Sequence, residues 1–158
     1  MRIKYFHQGR WPHQSPSATF ITFNALGFYN NDIDFELVAA ANTKEPVSEV
    51  LTRHFGIKAP LKIHLLRAGL FSGQHQVVCL LGFFYLLRQP IDILITRNLS
   101  FLPFAYLLRR LKKCRVVFES HDIFTDLNLF SPEIARRKKK QSRQERRYLP
   151  QADGVLCV

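Results

Sequence analysis

Four short stretches carry the residue types that could do chemistry. Glu119-Ser120-His121-Asp122 ends an apolar run, Arg97-Asn98 with Ser100 ends another, Gly9-Arg10-Trp11-Pro12 follows the first, and Gln151-Ala152-Asp153 precedes the last. An imidazole at a strand end can hydrogen-bond a hydroxyl or a phosphate, and Asp122 beside it could fix its tautomer. The plainer reading is that His121 closes a turn and Asp122 caps a helical one. The order Ser-His-Asp is not a hydrolase triad, because adjacent residues of an extended chain point to opposite sides. Gly9 would let a backbone approach a ligand closely and Arg10 could pair with an anion, or the stretch is a surface loop with Trp11 packed on the domain. Arg97 could hold a phosphate, or pair with Glu119 or Asp122. The glycines are isolated, so neither G-x-G-x-x-G nor G-x-x-x-x-G-K-[ST] occurs, which weighs against a dinucleotide dehydrogenase and a P-loop phosphotransferase.

Strands alternating with helices must position these groups. Strand patterns cover Arg2–His7, Phe35–Ala41, Leu61–Leu66, Ile91–Thr96, Arg115–Glu119 and Gly154–Val158. Helix patterns run from Pro16, capped by Ser15, to Asn30, from Pro46 to Phe55 with Gly56 as the stop, from Ser72 to Leu87, from Phe101 to Leu111 with Ser100 as the cap, and from a start at Ser131-Pro132-Glu133 to about Leu149. Several strands are continuously apolar. The expected fold is therefore α/β, a Rossmann-like doubly wound parallel sheet in a single domain, with ligands at the carboxyl ends of its strands. The last strand pattern reaches the final residue, so the expectation is a domain whose partner domain is absent.

Composition narrows the classes. With 158 residues, 47% hydrophobic and 22% charged, the chain can bury one core and is far from disordered composition. Cys79, Cys114 and Cys157 lie apart in apolar stretches, which predicts reduced core thiols in a cytoplasmic protein and no metal site. The longest apolar run, Val77 to Leu87, falls short of the roughly 20 residues that cross a bilayer. The net charge is +11, and the run Arg136, Arg137, Lys138, Lys139, Lys140, Arg143, Arg146, Arg147 is opposed only by Glu145. Such a helix, spanning 133–149, could seat the domain peripherally on the anionic inner face of a membrane or dock a partner domain. The plainer reading is a solvated face. Nucleic acid is disfavoured, because no aromatic residues interleave with the charges. The many aromatics belong mostly to the core, and any exposed on the first or fourth helix beside cations would make an interfacial face.

RIKYFHQGRWP, DILITRNLSFLP, VVFESHD and ERRYLPQADGVLCV, in this order across the whole chain, resemble the N-terminal, acceptor-side domain of family 4 glycosyltransferases of the GT-B architecture. The resemblance implies residues 1–158 as that domain without its C-terminal donor domain, and transfer, with retention, of a sugar from a nucleotide-sugar to a saccharide or lipid-linked acceptor. It implies no metal and no cofactor besides the nucleotide-sugar as donor substrate. It places His121 on the transferred sugar as the catalytic residue. Gly9, Arg10, Trp11, Arg97, Asn98, Ser120 and Asp122 are implied as substrate-binding, with little or no activity expected of the chain alone. The first loop departs from the family in lacking paired glycines.

Overall fold

The computed structural model describes residues 1–67, 75–120 and 138–157. Within them the chain runs β1 (Arg2–Trp11), α1 (Pro16–Asn30), β2 (Asp34–Ala41), α2 (Val47–Phe55), β3 (Lys62–Leu66), α3 (His75–Arg88), β4 (Ile93–Thr96), α4 (Leu102–Lys112), β5 (Arg115–Ser120), α5 (Lys139–Tyr148) and β6 (Gly154–Cys157). Short 3-10 turns, Leu99–Phe101 and Leu149–Gln151, precede α4 and follow α5. All six strands are parallel, in the order β3-β2-β1-β4-β5-β6. This is the expected doubly wound, Rossmann-like α/β domain. The order reverses between β1 and β4, so the chain leaves these two neighbours for opposite faces.

The two faces have separate cores. Ile3, Tyr5, Leu37, Ala39 and Ile95 pack against α1 and α2, while Phe6, Val38, Leu94, Val116 and Phe118 pack against α3 and α4. Alternation along each strand sends successive side chains to the two layers, and both layers are apolar, which is why the strands read as unbroken hydrophobic runs. Ser15 caps α1, its Oγ accepting from the Ala18 N–H at 3.4 Å, with Pro16 at the first helical position. Gly56 ends α2 at φ 67°.

Three details differ from the sequence reading. β1 continues past His7 to Trp11, because a bulge between His7 and Arg10 lets Arg10 and Trp11 resume pairing with Ala40 and Ala41. Ser100 does not cap α4; it lies in the 3-10 turn, and its hydroxyl donates to Gln8 Oε1 at 2.9 Å. Cys79 and Cys114 are buried, but Cys157 is exposed, since it sits on the edge strand β6. The expected helix starts at Ser72 and at Ser131-Pro132-Glu133 lie outside the described residues.

One polar cluster is built into the α3 layer. Lys4, only 7% exposed, donates from Nζ to Glu36 Oε2 at 2.7 Å, and the Tyr85 hydroxyl donates to Glu36 Oε1 at 2.7 Å. The His64 ring stacks on Tyr85 at 3.6 Å. Both Glu36 oxygens are thus engaged, the condition under which a desolvated ion pair is tolerated. Burial first, and then this hydrogen bond, push the Tyr85 phenol well above its ordinary range.

Gly82 is where α3 touches the sheet. A Cβ there would lie 2.2 Å from Phe6 Cε2, and the Phe6 ring is itself stacked on Phe101 at 3.7 Å. Gly82→Ala is expected to cost about 2 kcal/mol or more by overpacking, read as a lower urea midpoint at unchanged slope. An unchanged midpoint would show that α3 is not seated on Phe6.

Candidate functional site

The candidate site is the carboxyl edge of β1 and β4, where the strand order reverses and an open parallel sheet takes its ligands. It is stitched together by side chains. The Gln8 N–H donates to Asn98 Oδ1 at 2.9 Å, the Asn98 N–H to Thr96 Oγ1 at 3.2 Å, and the Thr96 hydroxyl to the Phe6 carbonyl at 3.1 Å. With the Ser100–Gln8 bond, these contacts fasten the bulge of β1 to the loop after β4. The bulge itself needs Gly9, because a Cβ there would lie 2.3 Å from His7 Nε2. The imidazole of His7 therefore lies against bare backbone.

Tyr5 and His7 share one face of β1 by alternation, and Arg97 and Glu119 continue that face on β4 and β5. Arg97 Nη1 is 4.0 Å from Glu119 Oε1, an ion pair beyond hydrogen-bond length, and Nη1 has no hydrogen-bond partner among the described residues. Tyr5 Oη and His7 Nδ1 are likewise buried without a well-formed hydrogen bond among the described residues, although Glu119 and Arg97 both stand close enough to the Tyr5 phenol to act on it. Burial first and the nearby Arg97 cation second push the His7 imidazole down to about 4, so it is neutral at neutral pH. Burial, with Glu119 next, pushes the Tyr5 phenol far above its ordinary range. Buried polar atoms are nearly always hydrogen-bonded, so these three, enclosed together behind the carboxyl edge of the sheet, single out this place as the candidate site. A fixed guanidinium suits an anion, and a neutral imidazole and a phenol suit hydroxyls.

The residues singled out in the sequence are only partly brought together. Gly9, Arg97 and Asn98 lie at this edge, and Arg10 is exposed beside it. Ser120 is the buried last residue of β5, paired with Cys157. Trp11 is placed otherwise than in a ligand-wrapping loop. It is fully buried, its indole N–H donates to Thr22 Oγ1 at 2.9 Å, and its ring stacks on Phe55 at 5.9 Å. It binds β1 to α1 and α2 because the bulge prolongs the strand into the core. The Gln151-Asp153 stretch enters β6 at the opposite edge of the sheet, where Asp153 accepts from the Val116 N–H at 2.8 Å and faces Arg109 at 3.4 Å. His121, Asp122, Arg136 and Arg137 lie outside the described residues. Sequence reasoning missed Tyr5 and His7, although the alternation Ile3, Tyr5, His7 was available to find them. At the amino ends of the strands a cleft of about 310 Å³ is lined by Tyr29, Asp34, Phe35 and Lys62, but Asp34 and Lys62 pair with each other at 2.8 Å, so it offers less open chemistry.

The buried imidazole generates a pH dependence. Its folded value, about 4, is below the 6.5 of an unfolded histidine. Between those values the unfolded chain takes up a proton that the native state refuses. Stability is therefore lost as the pH falls from 6.5 towards 4, by about 3 kcal/mol from this group. His7→Gln should shrink the drop in urea midpoint between pH 7 and pH 4.5, and an equal drop in both proteins would contradict the burial of a neutral His7.

No protein-family model matches the chain, and no curated protein matches it. Among solved structures it is similar to HepE of Anabaena, whose crystal structure is in complex with UDP and glucose, with a TM-score of 0.51 and 13% sequence identity. The match covers 98% of this chain and 37% of that chain, so this chain spans well under half the length of HepE. The likeness is one of fold.

Proposed function

We propose that the chain is the acceptor-side, N-terminal domain of a retaining, family 4-type glycosyltransferase of GT-B architecture, which moves a sugar from a nucleotide-sugar to a saccharide or lipid-linked acceptor. The observation that carries this reading is the switch point of the sheet, where Arg97 Nη1 makes no hydrogen bond among the described residues and only a long ion pair with Glu119, on a fold shared with a protein solved with UDP and glucose.

In this reading Arg97 attracts the diphosphate of the donor. Held beside Glu119, the guanidinium needs no reorganisation as negative charge grows on the departing nucleotide diphosphate, which is the condition for strong electrostatic stabilisation. Gly9, whose bare face is taken by the His7 ring, holds that imidazole at the site, and Arg10 adds an exposed cation at the rim. Neutral His7, Asn98 and Tyr5 offer hydrogen bonds to sugar hydroxyls. His121, directly after β5, takes the transferred sugar on the strength of the family resemblance, with Ser120 and Asp122 beside it in sequence. The chain corresponds to 37% of HepE, so the remaining groups that hold the nucleotide are assigned to a second, donor-side domain. Binding without transfer is the outcome expected of this chain by itself.

Saturation-transfer NMR with UDP-glucose tests the reading. Signals consistent with a Kd of about 1 mM, worth about 4 kcal/mol, are expected on the sugar and ribose protons. Arg97→Met, checked for cooperative unfolding, should weaken them about tenfold or more, the size expected when a charged hydrogen-bond donor is lost. His121→Ala should remove the sugar signals and leave those of the ribose. Silence at about 10 mM ligand, or signals indifferent to Arg97→Met, would overturn it.

A further inference from the structure

The helices over the α3 face are unlike those of a solvated surface. α3 is apolar nearly all round, a composition proper to a helix buried on every side. Yet Val77, Leu80 and Phe84, one stripe at helical spacing, are 45–46% exposed, and Leu107 and Leu111 on neighbouring α4 are 45% and 57% exposed. α4 joins α3 on one side and α5 on the other, where the Tyr106 hydroxyl donates to the Tyr148 carbonyl at 2.5 Å. The three helices thus form one layer.

Charge in that layer has a single sign. α3, α4 and α5 contain one carboxylate, Glu145, which is buried, against exposed Arg88, Arg110, Lys139, Lys140, Arg143, Arg146 and Arg147. Of the exposed acids, Asp32, Glu45 and Glu49 belong to the α1 and α2 side, Asp34 pairs with Lys62, and Asp153, at the entry to β6, faces Arg109 of α4. Cations in the last turns of α3, α4 and α5 suit the helix dipole, but Lys139 and Lys140 stand in the first turn of α5, where the dipole opposes them. Helix stability does not account for their placement.

We infer that the outer surface of α3, α4 and α5 is a docking face for an anionic lipid bilayer, on which the apolar stripe enters the acyl boundary and the cations meet the headgroups. Neither contribution is enough alone, since stable interfacial seating takes two signals. Among the described residues no helix is long and apolar enough to cross a membrane, so the contact lies in the interface plane. The face was legible in sequence only as the basic run; the stripe on α3 needed the structure. The inference is independent of sugar transfer and holds or fails without it.

Co-sedimentation of the full chain with phosphatidylcholine vesicles, with and without about 30% phosphatidylglycerol, is the test. Binding is expected to the mixed vesicles only and to weaken at about 0.5 M salt. The pair Leu80→Glu with Phe84→Glu and the pair Lys139→Glu with Lys140→Glu should each lower partitioning about tenfold or more. Lys44→Glu with Lys58→Glu, the same change in net charge on the other side of the sheet, should leave it unchanged. Four results would overturn the inference. They are no binding, equal loss in the control pair, indifference to the Leu80 and Phe84 pair, and a dimer in size exclusion that this pair dissolves, which would give the stripe to a second copy.

Discussion

Everything at the carboxyl edge of this sheet depends on β1 and β4 lying side by side while their chains depart to opposite faces. Ile3 to Phe6 pair with Ile93 to Thr96 in uninterrupted parallel register. Beyond Phe6 and Thr96 the two segments must diverge, because α1 packs on one face and α4 on the other. Divergence strips backbone groups of ladder partners, and in a buried region each must find another. The Gln8 N–H finds Asn98, the Phe6 carbonyl finds Thr96, and the Gln8 side chain finds Ser100. The carboxyl edge is held by the same bonds that compensate this divergence.

The Tyr5, His7 and Arg97 atoms stand out against the Lys4–Glu36–Tyr85 cluster on the other face of the sheet. There the chain buries charge in the sheet and satisfies it. Leaving a buried donor unmet costs about 1–3 kcal/mol, and the Lys4 cluster shows that this chain meets such requirements where nothing else decides. At the carboxyl edge it does not, although Glu119 is near enough to do so with a small shift of Arg97.

The alternation of strand and helix was legible because buried parallel strands are apolar runs and the helices carry local stops such as Asn31 and Gly56. The bulge was not legible, because Gln8 and Gly9 look like the start of a loop; only the clash of a Gly9 Cβ with His7 tells that the strand resumes. Of the two readings of Trp11, the packed one holds for that reason. Arg97 and Asn98 were legible because they follow a strand directly. Tyr5 and His7 were hidden inside a strand pattern in which polar residues read as surface. The pairing of Arg97 with Glu119, left open by the sequence, is a matter of register between β4 and β5, which no local pattern encodes.

The two functional surfaces are compatible because of how a parallel sheet directs its helices. Each helix begins at the carboxyl edge and ends at the amino edge, so Arg88, Arg109, Arg110 and Lys112 in the last turns of α3 and α4 stand away from the candidate site. The apolar stripe faces outward from the layer rather than towards the strand ends. A bilayer lying along these helices leaves the carboxyl edge free, with Gly9, Arg97 and Asn98 opening parallel to the membrane plane. A nucleotide-sugar could then enter from solvent while an acceptor approached from the lipid side. Lys139 and Lys140, in the first turn of α5, stand by the same rule at the carboxyl edge, so a bilayer that they contact would border the Arg97 end of the sheet.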